Sequence, residues 1–96
     1  MRCLGIDYGE RRIGLAWGDE LGVATPLPAA TQADKDARMD HLCALAVERK
    51  TTDIIVGYPY NMDGSVGFKA REVDAFIALL ESRLGLPVHQ IGRAHV

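Results

Sequence analysis

The side chain best suited to chemistry in this sequence is Asp7, which follows a short apolar run, residues 3–6, and precedes Tyr8-Gly9. Such a run is typical of a buried strand, and the ligands of open α/β sheets gather at the carboxyl ends of strands. A carboxylate at that place needs a partner, because an isolated buried charge is costly. A divalent cation could be that partner, and so could hydrogen bonds within the turn that follows. The spacing alone leaves the ligand role and the structural role of Asp7 equally open.

Two arginines, Arg11 and Arg12, come within five residues of Asp7. The planar guanidinium group presents a rigid pair of donors that matches two phosphate oxygens. A solvated hairpin tip is the plainer interpretation of such a pair. Their position next to an acidic strand end favours phosphate binding.

A polar loop over residues 58–67 follows another short apolar run, so it also begins at the carboxyl end of a predicted strand. Its tyrosines suit stacking on bases, while its amide and hydroxyl groups and the cations after it suit contacts with phosphates. These candidate residues are Tyr58, Tyr60, Asn61, Ser65, Lys69 and Arg71. Asp63-Gly64 is an ordinary turn signal, so a purely structural loop is the alternative.

The apolar pattern predicts the elements that position these residues. Strands are predicted over residues 3–7, 13–17, 23–30, 53–57 and 86–91, and helices from about residue 34 to 50 and from about residue 68 to 84. Pro26 and Pro28 assign the third strand to an edge of the sheet, because each lacks a backbone donor. The order β-β-β-α-β-α-β indicates a mixed α/β sheet covered by helices. We expect a single domain over residues 1–96, with the pattern lost after about residue 91.

The composition is that of a globular chain, with 48% of the 96 residues hydrophobic and 25% charged. A net charge of −2 excludes a net basic field, so binding to nucleic acid must come from local patches. No apolar run reaches the roughly 18 residues of a membrane span, and no secretion signal precedes the first strand. Cys3 and Cys43 are therefore expected to be buried, reduced thiols in a cytoplasmic protein.

Two longer motifs, LGIDYGERRIGLA at residues 4–16 and VGYPYNMDGS at residues 56–65, resemble the YqgF/RuvX family of ribonuclease H-like proteins. Members of that family are described as Holliday junction resolvases and pre-16S rRNA nucleases. The similarity covers roughly residues 1–90. The resemblance implies a ribonuclease H-like mixed five-stranded sheet and a cytoplasmic location.

The same resemblance implies a metal-dependent nuclease that hydrolyses phosphodiester bonds in structured nucleic acid. Its substrate would be precursor 16S rRNA, in ribosome biogenesis, or branched DNA, in Holliday junction resolution. Asp7 matches the family's first metal-binding carboxylate, and the implied cofactor is Mg²⁺ or Mn²⁺, present as a pair of ions. Arg11, Arg12 and the 58–67 loop would contact the nucleic acid. A symmetric homodimer would suit a four-way junction.

The sequence departs from the family pattern in two places. Tyr58 and Tyr60 stand where the family more usually has leucines. After the fifth strand the family continues with an Asp-Glu-Arg-x-Thr motif and a last helix that carries another catalytic aspartate, whereas residues 92–96 are Gly-Arg-Ala-His-Val. We therefore expect that the last helix is missing, that one face of the sheet is partly uncovered, and that this chain does not cleave nucleic acid on its own.

Two other classes of function also fit parts of the sequence. A non-catalytic module that binds nucleic acid or a partner protein would need no further acids. The actin and sugar-kinase group also places a phosphate loop after an Asp-x-Gly strand end. Those proteins usually show Gly-Gly-Thr where this chain has Gly9-Glu10-Arg11, and they need two domains around the nucleotide. Mg²⁺-dependent cleavage, salt-sensitive binding without cleavage, and ATP binding distinguish the three classes.

Overall fold

Five strands and two helices follow one another in the predicted order in the computed structural model, which describes residues 1–19, 24–58 and 70–92. The strands are β1 (Cys3–Asp7), β2 (Ile13–Gly18), β3 (Ala24–Ala30), β4 (Asp53–Tyr58) and β5 (Val88–Gly92), and the helices are α1 (Lys35–Glu48) and α2 (Ala70–Leu84). The expected mixed α/β architecture is confirmed.

All five strands form one sheet in the order β3-β2-β1-β4-β5, with β1 at its centre. β1 pairs antiparallel with β2 and parallel with β4, and β5 is parallel to β4. Because β2 and β3 are also antiparallel, the strands β1, β3, β4 and β5 all finish at the same end of the sheet, called here the carboxyl end. The prediction that β3, with its two prolines, is an edge strand is confirmed.

One face of the sheet forms the hydrophobic core with both helices. Side chains alternate between the two faces of a strand, and on the core face Leu4, Ile6, Ile54 and Val56 are no more than 3% exposed. The helices contribute the apolar positions that repeat every three or four residues. These are Met39, Leu42, Cys43 and Ala46 from α1, and Ala70, Val73, Phe76, Ile77 and Leu80 from α2.

The second face of the sheet is open as far as the described residues extend. It is lined by small or apolar side chains from four strands, namely Gly5, Gly14, Ala16, Ile55, Gly57 and Ile91. Ile91 is 54% exposed, although isoleucine is a residue that normally packs in a core. Asp7 lies on the same face, at the carboxyl end of β1.

The helix ends match the sequence signals. The Asp34 carboxylate accepts a hydrogen bond from the Ala37 amide (3.0 Å) and thus caps α1. Gly85 follows α2 with a φ of 65°, and its amide donates to the Glu81 carbonyl (2.9 Å), which confirms it as the residue that ends this helix. Neither helix is long and apolar enough to cross a membrane, among the residues described.

Asp53 and Cys43 are titratable groups away from the carboxyl end of the sheet whose pKa values are shifted. Hydrogen bonds from His89 (2.9 Å) and Thr52 (2.8 Å) lower the pKa of Asp53, and the His89 contact joins β5 to β4. Burial raises the pKa of the Cys43 thiol. Cys3 and Cys43 are both buried free thiols, as expected.

Candidate nucleic-acid interface

Asp7 is the last residue of the central strand and is exposed at the carboxyl end of the sheet. Its partner across the antiparallel ladder is Gly14 of β2. A β-carbon at Gly14 would stand 3.4 Å from the Asp7 β-carbon, so the glycine leaves the space beside the carboxylate open. A ligand can therefore approach Asp7 from the open face of the sheet.

The segment that follows Asp7, residues 8–12, is called here the β1–β2 turn, and three contacts fix it. The Tyr8 ring packs against the Phe76 ring of α2, with the centroids 4.7 Å apart. The Glu10 carbonyl accepts a hydrogen bond from the Arg38 side chain of α1 (2.9 Å). Within the turn, a β-carbon at Gly9 would lie 2.5 Å from the Arg12 carbonyl oxygen, so the chain closes on itself at a distance that only glycine permits. Both helices thus hold this turn.

Arg11 and Arg12 are both exposed on the β1–β2 turn. Long side chains normally lose much freedom when they bind, but here the backbone that carries them is already fixed. Two exposed arginines therefore lie on a turn that begins directly after Asp7. Phosphate binding by these arginines stays a prediction, and the contacts with both helices hold the segment that carries them.

A groove runs beside the β1–β2 turn, between the first turns of α1 and α2. Its lining mixes aromatic, positive and negative side chains, among them Tyr8, Glu10, Lys35, Arg71, Glu72 and Phe76. Arg71 had been predicted to add positive charge here, and it is exposed at the start of α2. Lys35 was not singled out from the sequence. Its place directly after the helix-capping Asp34 is the signal that could have found it.

The structure corrects the stacking role predicted for Tyr58. This residue belongs to β4 and alternates with Ile54 and Val56 on the core face, where it is 6% exposed. Its hydroxyl donates a hydrogen bond to the Asp74 carboxylate of α2 (2.7 Å). A ring in that position cannot stack on a base, so Tyr58 is a structural residue. The other predicted loop contacts, Tyr60, Asn61, Ser65 and Lys69, lie outside the described residues.

Asp7 is the candidate ligand for a metal ion at the carboxyl end of the sheet. Mg²⁺ takes oxygen ligands in an octahedron, and at phosphate sites one or two carboxylates often suffice because water and substrate oxygens complete the shell. The exposed Asp7 carboxylate suits that role. In the part of the chain that the structure describes, no three His, Cys, Asp or Glu side chains converge on one point. Among the described residues, Asp7 fits a single ion whose shell is completed by water and phosphate. The described residues do not fit the pair of ions that the resemblance implies.

A family model described as "RuvX: Holliday junction resolvase" matches residues 1–92. A protein of Opitutus terrae named "Putative pre-16S rRNA nuclease" is 58% identical over 92 residues, which are 95% of this chain and 63% of that protein. This chain thus spans less than two thirds of the length of that curated relative.

Solved structures share the fold at low sequence identity. Thermus thermophilus RuvC in complex with a Holliday junction substrate has a TM-score of 0.64 and 17% identity, over 96% of this chain and 65% of that one. A Listeria monocytogenes protein described as "a putative N-acetylmannosamine kinase" has a TM-score of 0.59 and 20% identity, over 96% of this chain and 35% of its own. The fold is ribonuclease H-like, and both the RuvC structure and the kinase structure contain it.

Proposed function

The chain belongs to the RuvX family, and from that membership we propose that it serves the metal-dependent hydrolysis of phosphodiester bonds in structured nucleic acid. The observation that supports this most directly is the exposed Asp7 carboxylate at the carboxyl end of the sheet, next to a fixed turn with two exposed arginines. The substrate is precursor 16S rRNA or a branched DNA junction. Both are structured nucleic acids with closely spaced phosphates.

Each residue has a distinct part in this proposal. Arg11 and Arg12 bind backbone phosphates and hold the nucleic acid across the carboxyl end of the sheet. Asp7 would hold a divalent cation, Mg²⁺ or Mn²⁺, which would supply positive charge to neutralise the bound phosphate. Without a cation the Asp7 carboxylate repels that phosphate, so the acid makes close approach depend on the metal.

The orientation of the helices supports binding at this end. α1 starts just after β3 finishes at the carboxyl end, and its first turn lines the same groove as the first turn of α2. The amino-terminal end of a helix carries a partial positive charge, which favours phosphate nearby. Local charges of this kind allow a chain with a net charge of −2 to bind nucleic acid.

The segment between β4 and α2 supplies the remaining proposed contacts. Asn61, Ser65 and Lys69 come from it by sequence, and their amide, hydroxyl and ammonium groups are donors for phosphate oxygens. A symmetric homodimer would present two such surfaces to a four-way junction. The cytoplasm, where bacterial ribosomal RNA is processed, is the location that this function implies.

A non-catalytic nucleic-acid-binding module is the second candidate. It is favoured by the observation that the described residues bring no group of three acids or histidines together. A single carboxylate cannot offset two divalent ions or fix their spacing. We therefore expect that the described residues supply binding and one metal ligand without by themselves completing the hydrolytic site.

The deciding experiment is an assay of the purified 96-residue chain on junction DNA and on precursor 16S rRNA, with Mg²⁺ and with Mn²⁺. We expect salt-sensitive binding and no cleavage. Turnover that disappears in an Asp7→Asn variant would contradict the expected inactivity and would show that another acid of this chain completes the site. Absence of binding to either nucleic acid would overturn the proposed function.

The two arginines give a second prediction. Replacing Arg11 or Arg12 by Ala should reduce the slope of log K against log salt by about one phosphate contact. Because Arg12 stands directly before the first residue of β2, we expect its loss to weaken binding more. Arg83→Ala is a matched control, because it removes the same charge from the last turn of α2, where Arg83 pairs with Asp40 (2.7 Å). A salt slope that is unchanged in both turn variants would assign Arg11 and Arg12 to a solvated hairpin tip.

A further inference from the structure

A buried guanidinium group lies behind the β1–β2 turn. Arg38, in the first turn of α1, is 7% exposed, which is unusual for an arginine. Its Nη1 donates to the Gln32 carbonyl (2.6 Å) and the Ala33 carbonyl (3.1 Å), just before the helix. Its Nη2 donates to the Glu10 carbonyl (2.9 Å). Backbone oxygens from the nearby residues 32–33 and from the distant residue 10 thus satisfy a charge that would otherwise be costly to bury.

We propose that Arg38 is a positioning residue for nucleic-acid binding, because it fixes the backbone of the turn that carries Arg11. This inference rests on the proposed function. The carbonyl of Glu10 and the amide of Arg11 belong to the same planar peptide unit. A hydrogen bond to that carbonyl therefore orients the peptide from which the Arg11 side chain extends. Arg38 is also too buried to contact nucleic acid itself, so its effect must pass through the turn.

The forked shape of the guanidinium group explains why this position holds an arginine. One nitrogen holds the segment before α1 while the other reaches the turn, so a single rigid plane joins residues 10, 32 and 33. A lysine has one ammonium group at the end of a flexible stem and cannot span both segments with fixed geometry. Arg38→Lys should therefore preserve charge and much of the packing and still release the turn.

The test uses the full chain with Arg38→Met, Arg38→Lys, Arg11→Ala and the double variant Arg11→Ala/Arg38→Met. Binding to junction DNA is measured over a range of salt concentrations, and thermal unfolding is followed in parallel. We expect each Arg38 variant to weaken binding about tenfold and to lower the salt slope as Arg11→Ala does. In the Arg11→Ala background, Arg38→Met should weaken binding by less than about twofold, because the contact it positions is already lost.

Several outcomes would overturn the proposal. Wild-type affinity in Arg38→Lys would do so. A loss of affinity in the double variant that equals the product of the two single-variant losses would also do so, because the two residues would then act independently. Arg38→Lys also keeps the test decisive if Arg38→Met does not fold. Backbone order parameters of residues 9–12 give a readout that does not require nucleic acid. They should fall from about 0.85 toward 0.6 in Arg38→Lys if the turn is released, even if the wild-type chain binds no nucleic acid and the proposed function fails.

Discussion

Replacing Asp7 by Asn should abolish the Mg²⁺ dependence of nucleic-acid binding and should strengthen the binding measured in EDTA. In the wild-type chain we expect Mg²⁺ to raise affinity about tenfold, which corresponds to about 1.4 kcal/mol. The asparagine keeps the shape of the side chain but loses the anionic ligand, so this gain should disappear. Without metal, the variant lacks a like charge facing a phosphate, which is worth about 1 kcal/mol at 4 Å in water. The affinity measured with Mg²⁺ should therefore fall while the affinity measured in EDTA should rise. A general loss of folding would lower both affinities.

In a full-length member of the family that cleaves nucleic acid, the same substitution should also lower turnover. A cation at a reacting phosphate contributes several kcal/mol of transition-state stabilisation, so the loss in kcat would be about 10³-fold or more. Glu81→Gln is the matched control, since Glu81 is an exposed acid close to the carboxyl-terminal end of α2, away from the carboxyl end of the sheet. Mg²⁺-dependent binding that survives in Asp7→Asn would assign the cation to another group.

Gly9→Ala should destabilise the domain and weaken nucleic-acid binding together. The added β-carbon would lie 2.5 Å from the Arg12 carbonyl oxygen, and a backbone atom cannot move aside as a flexible side chain can. The β1–β2 turn must open, at a loss of about 2–3 kcal/mol in the free energy of unfolding. Such a loss is a large part of the 5–15 kcal/mol that stabilises a typical domain. The same movement displaces Arg11 and Arg12 from their fixed places.

Urea unfolding and junction binding, measured on the same preparation, check this prediction. Gly5→Ala is the control, because a β-carbon at Gly5 would stand 3.6 Å from the Ala16 carbonyl oxygen, an ordinary van der Waals distance. Gly5→Ala should lower the free energy of unfolding by less than about 1 kcal/mol and leave nucleic-acid binding unchanged. Wild-type stability in Gly9→Ala would mean that the turn is looser than its contacts indicate.

The fold followed from the sequence because each of its signals acts locally. The prolines of β3, the change from two-residue to 3.6-residue period, and Gly85 after α2 all indicate structure within a few residues. Tyr58 could have been placed correctly by the same rule. It continues the alternation of Ile54 and Val56, so the predicted strand over residues 53–57 ends one residue too early.

The ordered state of the candidate interface could not be predicted in this way. Arg38 stands four residues before Leu42 on the buried side of α1, which is a signal that it is covered. Its acceptors, however, come from residue 10 and from residues 32–33, and only the folded chain brings these together. Sequence spacing identified Asp7, Arg11 and Arg12 as neighbours. It contained no information on the long-range hydrogen bond that fixes the turn between them.

The position of β1 at the centre of the sheet also determines how the chain must fold during synthesis. One side of β1 pairs with β2, the next strand along the chain, but the other side waits for β4, where Asp53 stands opposite Cys3. The chain between β1 and β4 is a long loop that closes slowly, because its conformational entropy is lost before the contacts between these strands compensate. A ribosome adds about 5–20 residues per second, so β1 keeps an unpaired side for roughly 3–10 s. The prolines of β3 lie at the opposite edge and cannot protect it. During that interval the unpaired side of β1 presents backbone donors and acceptors to any other strand.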